Sequence, residues 1–102
     1  MLADSAMDLY AARSVAYTAA RRAESGDSAG AEITMAKALA TEAVARIVDR
    51  AIQLSGGAAV VESHPLARLY CRIRSWRIAE GTTEVLRLTI ARDLLARRRG
   101  SA

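Results

Sequence analysis

Phenylalanine is absent from the 102 residues, proline and cysteine occur once each, and aromatic residues make up only 4% of the chain. That shortage disfavours a sheet core built from aromatic and β-branched side chains. Glycine is sparse as well, with six residues, so few positions break a helix. Cys71 alone cannot form an internal disulfide, and no segment combines a basic start, an apolar run and a small-residue cleavage site. A cytoplasmic protein is the simplest expectation. No segment reaches the roughly eighteen uninterrupted apolar residues a membrane-spanning helix needs, so no membrane partner is expected. His64 has no second histidine at metal-ligand spacing and no serine or cysteine arranged as a nucleophile, which leaves it a surface or loop-packing residue.

What the chain does contain is alanine, leucine and arginine, with 52% apolar residues. Small side chains of high helix propensity favour closely packed helices, and a chain of this length buries one core. A single all-α domain over residues 1–102 follows. The net charge of +4 is scattered along the chain, and its only consecutive basic triplet, Arg97-Arg98-Arg99, closes a helix, where positive charge complements the dipole. Nucleic acid is not an expected partner.

Apolar spacing predicts four helices. The first covers Leu2 to about Ala23, with Leu2, Ala6, Leu9, Ala16 and Ala20 as its apolar line and Tyr10 and Tyr17 flanking it. Residues 25–30 form a loop in which Asp27 or a serine can cap the next helix. The second runs from about Gly30 to Leu54 on a stripe of Ile33, Ala36, Ala40, Val44, Ile47, Ala51 and Leu54. Its opposite side carries Lys37, Glu42, Arg46, Asp49 and Arg50, with Glu42 and Arg46 at ion-pair spacing. Gly56-Gly57 stops it, and Ala58-Ala59-Val60-Val61 reads as loop, since a lone strand has no ladder partner. Pro65 suits the first turn of a third helix over about 66–74, reaching toward Ile78. The fourth helix starts at Thr82 or Thr83 and runs to about Arg98, ending before Gly100. Cys71 is expected half-buried on the third helix, and Trp76, Tyr10 and Tyr17 are expected as core or interface anchors.

The run Ile78-Ala79-Glu80-Gly81-Thr82-Thr83-Glu84 holds the most chemical promise. It sets a carboxylate just outside a helix, before a glycine that lets a ligand approach the backbone and a threonine that caps the helix. On composition alone Glu80 would be an ordinary acidic residue near a helix start. Its neighbours form an ordered set: Gln53-Leu54-Ser55-Gly56-Gly57, then Pro65-Leu66-Ala67-Arg68-Leu69-Tyr70, then Glu80-Gly81-Thr82-Thr83-Glu84, then Ile90-Ala91-Arg92-Asp93-Leu94-Leu95.

That order resembles the C-terminal helical domain of the acyl-CoA dehydrogenases, about a third of such an enzyme. The resemblance implies a four-helix up-and-down bundle and a chain incomplete for catalysis, inactive without the N-terminal and middle domains or a split-enzyme partner. It maps the base that removes the α-proton of an acyl-CoA onto Glu80, FAD contacts onto Gln53, Gly56, Gly57, Thr82 and Glu84, and substrate contacts onto Gly81 and Arg92. It also implies a homo-oligomer, at least a dimer. A base of this kind works from a dry pocket, where desolvation raises a carboxylate's pKa. The sequence departs from the family pattern in having Ala58-Ala59 after the glycines, Tyr70-Cys71-Arg72 in place of Tyr-Arg-Asp, and Ala79 in place of an aromatic, which would widen the pocket beside Glu80. The alternative is a stand-alone helical oligomerisation or interaction module derived from that domain, which Met1 and the domain-like span would suit.

Overall fold

A long second helix organises the chain. In the computed structural model, which describes residues 1–26 and 28–101, the elements are α1 (Leu2–Glu24), α2 (Gly30–Ser55), α3 (Pro65–Arg74) and α4 (Thr83–Gly100), with single 3-10 turns at Gly57–Val60 and Ser75–Arg77. The all-α, four-helix expectation stands, and no strand occurs among the described residues. Two boundaries differ: α4 continues through Gly100, and residues 57–60 wind into a turn instead of open loop, with Ala59 completely buried. The cap predicted at Asp27 lies outside the described residues. Ala29 stands at the cap position of α2 and gives it no side-chain bond.

α1 and α2 form an antiparallel hairpin. Asp8 near the start of α1 accepts from Arg46 (2.7 and 3.1 Å) and Arg50 (2.7 Å) in the second half of α2, and Arg22 at the other end pairs with Glu32. α3 returns along α2, and α4 packs on α2 in its turn. The bundle is open. α2 touches each of the other three helices, and it carries half of the buried apolar side chains, Ala36, Ala38, Ala43 and Val48, which Ala19, Ala29, Ala59 and Ile73 complete. A core so rich in alanine brings backbones close and buries little area per residue.

The face of α1 that turns inward is not the expected one. Ser5, Asp8, Ala12, Val15 and Ala19 form the partly or fully buried seam, while the predicted line of Leu2, Ala6, Leu9, Ala16 and Ala20, one residue out of phase, is exposed. Both lines have the alternating three- and four-residue spacing of a helix seam. The smaller one wins because Asp8 finds two guanidinium partners on α2 and Ala19 fits against it. On α2 the predicted stripe is only partly buried, with Ile33 and Leu54 exposed, because a helix packed on several sides has no single apolar face. Tyr10, Tyr17 and Trp76 are exposed too, so they anchor no core here, and Cys71 is exposed and not half-buried because α3 packs on α2 through the opposite side, led by Ile73.

The dimensions carry the same message. The radius of gyration is 16.5 Å and the extents are 57 × 23 × 22 Å, whereas a compact domain of this length has a radius of about 13 Å. The accessible surface is 7256 Å², against about 5,600 Å² for a compact monomer of this mass.

Candidate functional site

The segment between α3 and α4 is built around two residues of positive φ, Glu80 at 55° and Gly81 at 99°. Glu80 is the one non-glycine residue with this geometry among those described. A left-handed backbone costs an L-residue about 1–2 kcal/mol, so surrounding contacts must hold it. Gly81 has the conformation its neighbour strains to reach, and a Cβ there would meet the Leu86 side chain at 3.2 Å. Ser75 begins the approach, accepting the N–H groups of Ile78 and Ala79 at 2.9 Å. Thr82 ends it: its hydroxyl oxygen accepts from the Val85 N–H at 3.4 Å, capping α4 as expected.

The strongest tie to the rest of the fold comes from Lys37. Its ammonium donates to the carbonyls of Ala79, Glu80 (2.8 Å) and Gly81 (3.0 Å). Five residues along α2, the Glu42 carboxylate accepts from Arg87 at 2.7 Å and lies 4.0 Å from Arg77. One arginine precedes the loop and the other follows it, so α2 holds both flanks. Sequence reading placed Lys37 and Glu42 on a solvated face and matched Glu42 with Arg46. Arg46 turns instead to Asp8, 38 positions away, and no short-range pattern marks contacts between residues so far apart in sequence.

The Glu80 side chain is exposed on this chain, and no side chain pairs with its carboxylate among the described residues. Gly81 and Thr82 are half-buried beside it, Thr83 is fully buried, and Glu84 is exposed in the first turn of α4. The backbone N–H of Glu84 and the Thr82 hydroxyl hold the Glu84 carboxyl below its ordinary pKa, so it is an anion and an acceptor at neutral pH. A cleft of about 80 Å³ lies between Arg74, Arg77, Ile78, Thr82, Thr83 and Glu84. Two polar atoms of its lining residues, Thr83 Oγ1 and Arg77 Nε, are buried without a partner among the described residues. Such groups cost stability unless a ligand or another chain meets them.

Gln53, Gly56 and Gly57 are elsewhere. They lie exposed at the far end of α2, where Gly56 ends the helix at φ 74° and open space surrounds both glycines. Sixteen residues separate Gln53 from Lys37, about 24 Å of helix at the standard rise. Arg92 is exposed in the third turn of α4. The fold therefore gathers Glu80, Gly81, Thr82 and Glu84 at one place and sets the Gln-Gly-Gly segment apart. His64 proves to be a cap: its Nδ1 accepts from the Leu66 N–H at 3.2 Å, with Pro65 opening α3.

No helix among the described residues is long and apolar enough to cross a membrane, and no cluster of three metal-ligating side chains occurs among them.

Comparison with known proteins supplies the context. Residues 1–95 match the family profile described as acyl-CoA dehydrogenase, C-terminal domain. A 3-(aryl)acrylate reductase of Clostridium sporogenes is 38% identical over 94 residues, which are 92% of this chain and 25% of that protein. A cyclohexane-1-carbonyl-CoA dehydrogenase of Geobacter metallireducens is 34% identical over 95 residues, 93% of this chain and 25% of the relative. The human acyl-CoA dehydrogenase family member 11 is 42% identical over 86 residues, 82% of this chain and 11% of the relative. The chain spans a quarter or less of the length of each. An all-α fold, the ordered motifs along it and a match over nearly its whole length agree, and the chain belongs to the acyl-CoA dehydrogenase family as a C-terminal domain.

Proposed function

We propose that this chain serves as the C-terminal domain of an FAD-dependent acyl-CoA dehydrogenase, with Glu80 as the base that takes the α-proton of an acyl-CoA thioester. The observation that carries the reading is the backbone of residues 79–81. A carboxylate-bearing residue occupies a strained left-handed position, braced by Lys37 from another helix, and its side chain faces away from the chain's own core. Strain of this kind persists only where surrounding structure imposes it, and it clusters at functional sites.

The residues present suit FAD at two edges. The unpartnered Thr83 Oγ1 and Arg77 Nε, with Thr82 and Glu84 beside the same cleft, offer polar groups to an oxygen-rich ligand. The open backbone at Gly56 and Gly57 admits a pyrophosphate, with the Gln53 amide beside it. Bound FAD supplies an acceptor, at N5, for the hydride that leaves the substrate β-carbon. Glu80 contributes the other half of the reaction: its carboxylate takes the proton from the α-carbon as the Cα–Cβ double bond forms, giving a trans-2-enoyl-CoA. Gly81, with Leu86 packed where a Cβ would stand, meets the thioester through its backbone alone, and Arg92 offers a cation to the acyl-CoA. One relative is named a 3-(aryl)acrylate reductase and another a cyclohexane-1-carbonyl-CoA dehydrogenase; the reading for this chain takes the dehydrogenase direction.

On this reading the dry walls around Glu80 come from the N-terminal and middle domains or from a split-enzyme partner, and the 102 residues alone do not turn over substrate. Exposed apolar side chains on α1 and α4 favour a homo-oligomer, and would serve equally an interaction module that has given up catalysis. The deciding experiment is Glu80→Gln in the flavoenzyme that carries this domain, assayed for acyl-CoA oxidation, FAD content and assembly. Loss of oxidation by 10³-fold or more with FAD and assembly retained supports the base. Wild-type turnover removes it and leaves the module.

A further inference from the structure

We infer that Lys37 is a positioning residue for Glu80: its ammonium gathers the carbonyls of residues 79, 80 and 81 and so fixes the turn from which the Glu80 carboxylate projects. The inference rests on the reading of Glu80 as the base.

An ammonium has three N–H donors and no acceptor. Here all three are matched to three consecutive backbone oxygens, those of Ala79, Glu80 and Gly81. Three carbonyl dipoles converging on one point repel one another unless a cation stands there. That convergence coincides with the two successive positive-φ residues, Glu80 and Gly81, so the cation offsets the cost of the backbone form that sets the direction of the Glu80 side chain. Lys37 can act so because it is itself fixed. It is half-buried on α2 between the buried Ala36 and Ala38, the helix that every other helix packs against. The Glu42 carboxylate, with Arg87 and Arg77, guards the two flanks of the same segment but touches none of the three carbonyls. Lys37 bonds the loop only through main-chain oxygens, which hold the turn from which the base projects. A misplacement of about 1 Å costs a proton-transfer step on the order of 10²-fold.

The test uses the complete flavoenzyme with Lys37→Met and Lys37→Arg, a C4 to C16 series of straight-chain acyl-CoA thioesters, and the best of these deuterated at the α-carbon. In K37M the expected kcat is lower by about 10- to 100-fold, with KM and FAD content near those of the parent. The primary α-deuterium isotope effect rises, because a misaimed base makes proton removal the slow step. A fraction of misfolded enzyme would lower kcat and leave that isotope effect unchanged. Amide hydrogen exchange over residues 79–83 accelerates at least tenfold, a readout independent of turnover. K37R keeps the charge on α2 but presents a planar fork in place of three diverging donors, so a smaller loss of about threefold to tenfold with a raised isotope effect is expected. It carries the test if K37M does not fold. A parental kcat and isotope effect in K37R overturn the inference, as does a K37M loss that merely tracks FAD content. Failure of the base assignment looks different: E80Q then retains activity, or the parent enzyme oxidises none of the thioesters, and the Lys37 inference falls with it.

Discussion

Replacing Glu80 by glycine should stabilise the chain while removing its proposed chemistry. With φ at 55°, Glu80 carries the left-handed penalty of about 1–2 kcal/mol that glycine escapes. Glycine brings its own cost, about 0.4–1 kcal/mol from the freer unfolded chain. The difference favours Glu80→Gly by about 0.5–1 kcal/mol. The bonds from Lys37 end on backbone oxygens, which every substitution at this position keeps. Because the carboxylate is exposed and unpaired among the described residues, its loss takes no packing with it. Glu80→Ala and Glu80→Gln therefore serve as controls. Both keep a Cβ in the strained position, and both should match the parent within about 0.5 kcal/mol, as surface changes usually do. The assay is urea unfolding of the four chains at one protein concentration, followed by far-UV circular dichroism. At a slope of about 1–2 kcal/mol per molar, the glycine variant should shift its midpoint upward by about 0.5 M. A glycine variant less stable than the alanine one would refute the reasoning, because it would mean that position 80 is not left-handed in the folded protein.

Two further outcomes follow from the hairpin. Arg46, with Arg50 beside it, holds the Asp8 carboxyl well below its ordinary value of 3.8. A depressed native pKa gives stability that is present above the unfolded value and lost as pH falls toward the native one. The parent should therefore exceed Asp8→Asn in urea midpoint at pH 6, and that advantage should shrink steadily below about pH 4; a gap independent of pH would show that the ion pairs do not form. For the outer face of α1, the surplus of about 1,700 Å² over a compact monomer is about two standard interface patches of 800 Å² each. The chain is accordingly expected to sediment as a dimer or larger at micromolar concentration, and Leu2→Glu with Leu9→Glu, at positions 79% and 51% exposed, to shift it toward monomer. A parent that stays monomeric counts against the assembly.

Helix positions were legible because apolar spacing, Pro65 and the glycines after α2 are local signals, and the chain's own backbone settles them. Which face of each helix turns inward was not. On α1 the two candidate seams differ by one residue. The greasier one, through Leu2 and Leu9, is the one a sequence rule selects, yet the seam through Asp8 and Ala19 packs on α2. Hydrophobicity says that a face is to be covered and not by which chain. The Glu80-Gly81-Thr82 run was legible as a motif, and its capping threonine followed from residue type alone. Lys37 was not, because its three acceptors are main-chain oxygens and leave no trace in side-chain identity. Nor could spacing show that Glu42 would prefer Arg87 to Arg46, two partners of equal chemistry at very different sequence separation.

The same central helix also sets the scale of the site. Lys37 braces the Glu80 loop near one end of α2, and Gln53, Gly56 and Gly57 lie about 24 Å away near the other. If both segments touch FAD, as proposed, they need not touch the same molecule of it. On that reading, one end of the helix in a symmetric oligomer would face the chain's own pocket, and the other would reach a cofactor held by a neighbouring copy. Such a division would be consistent with the elongated shape and the uncovered apolar surface. A spacer between two pockets gains from being long and straight, and the alanine-packed α1–α2 hairpin suits that. On the proposed reading the walls that desolvate Glu80 come from outside these 102 residues, so the strength of the proposed base and its geometry have separate origins. The first belongs to whatever closes over the loop. The second is already present here, in a left-handed glutamate tied to α2 by one lysine.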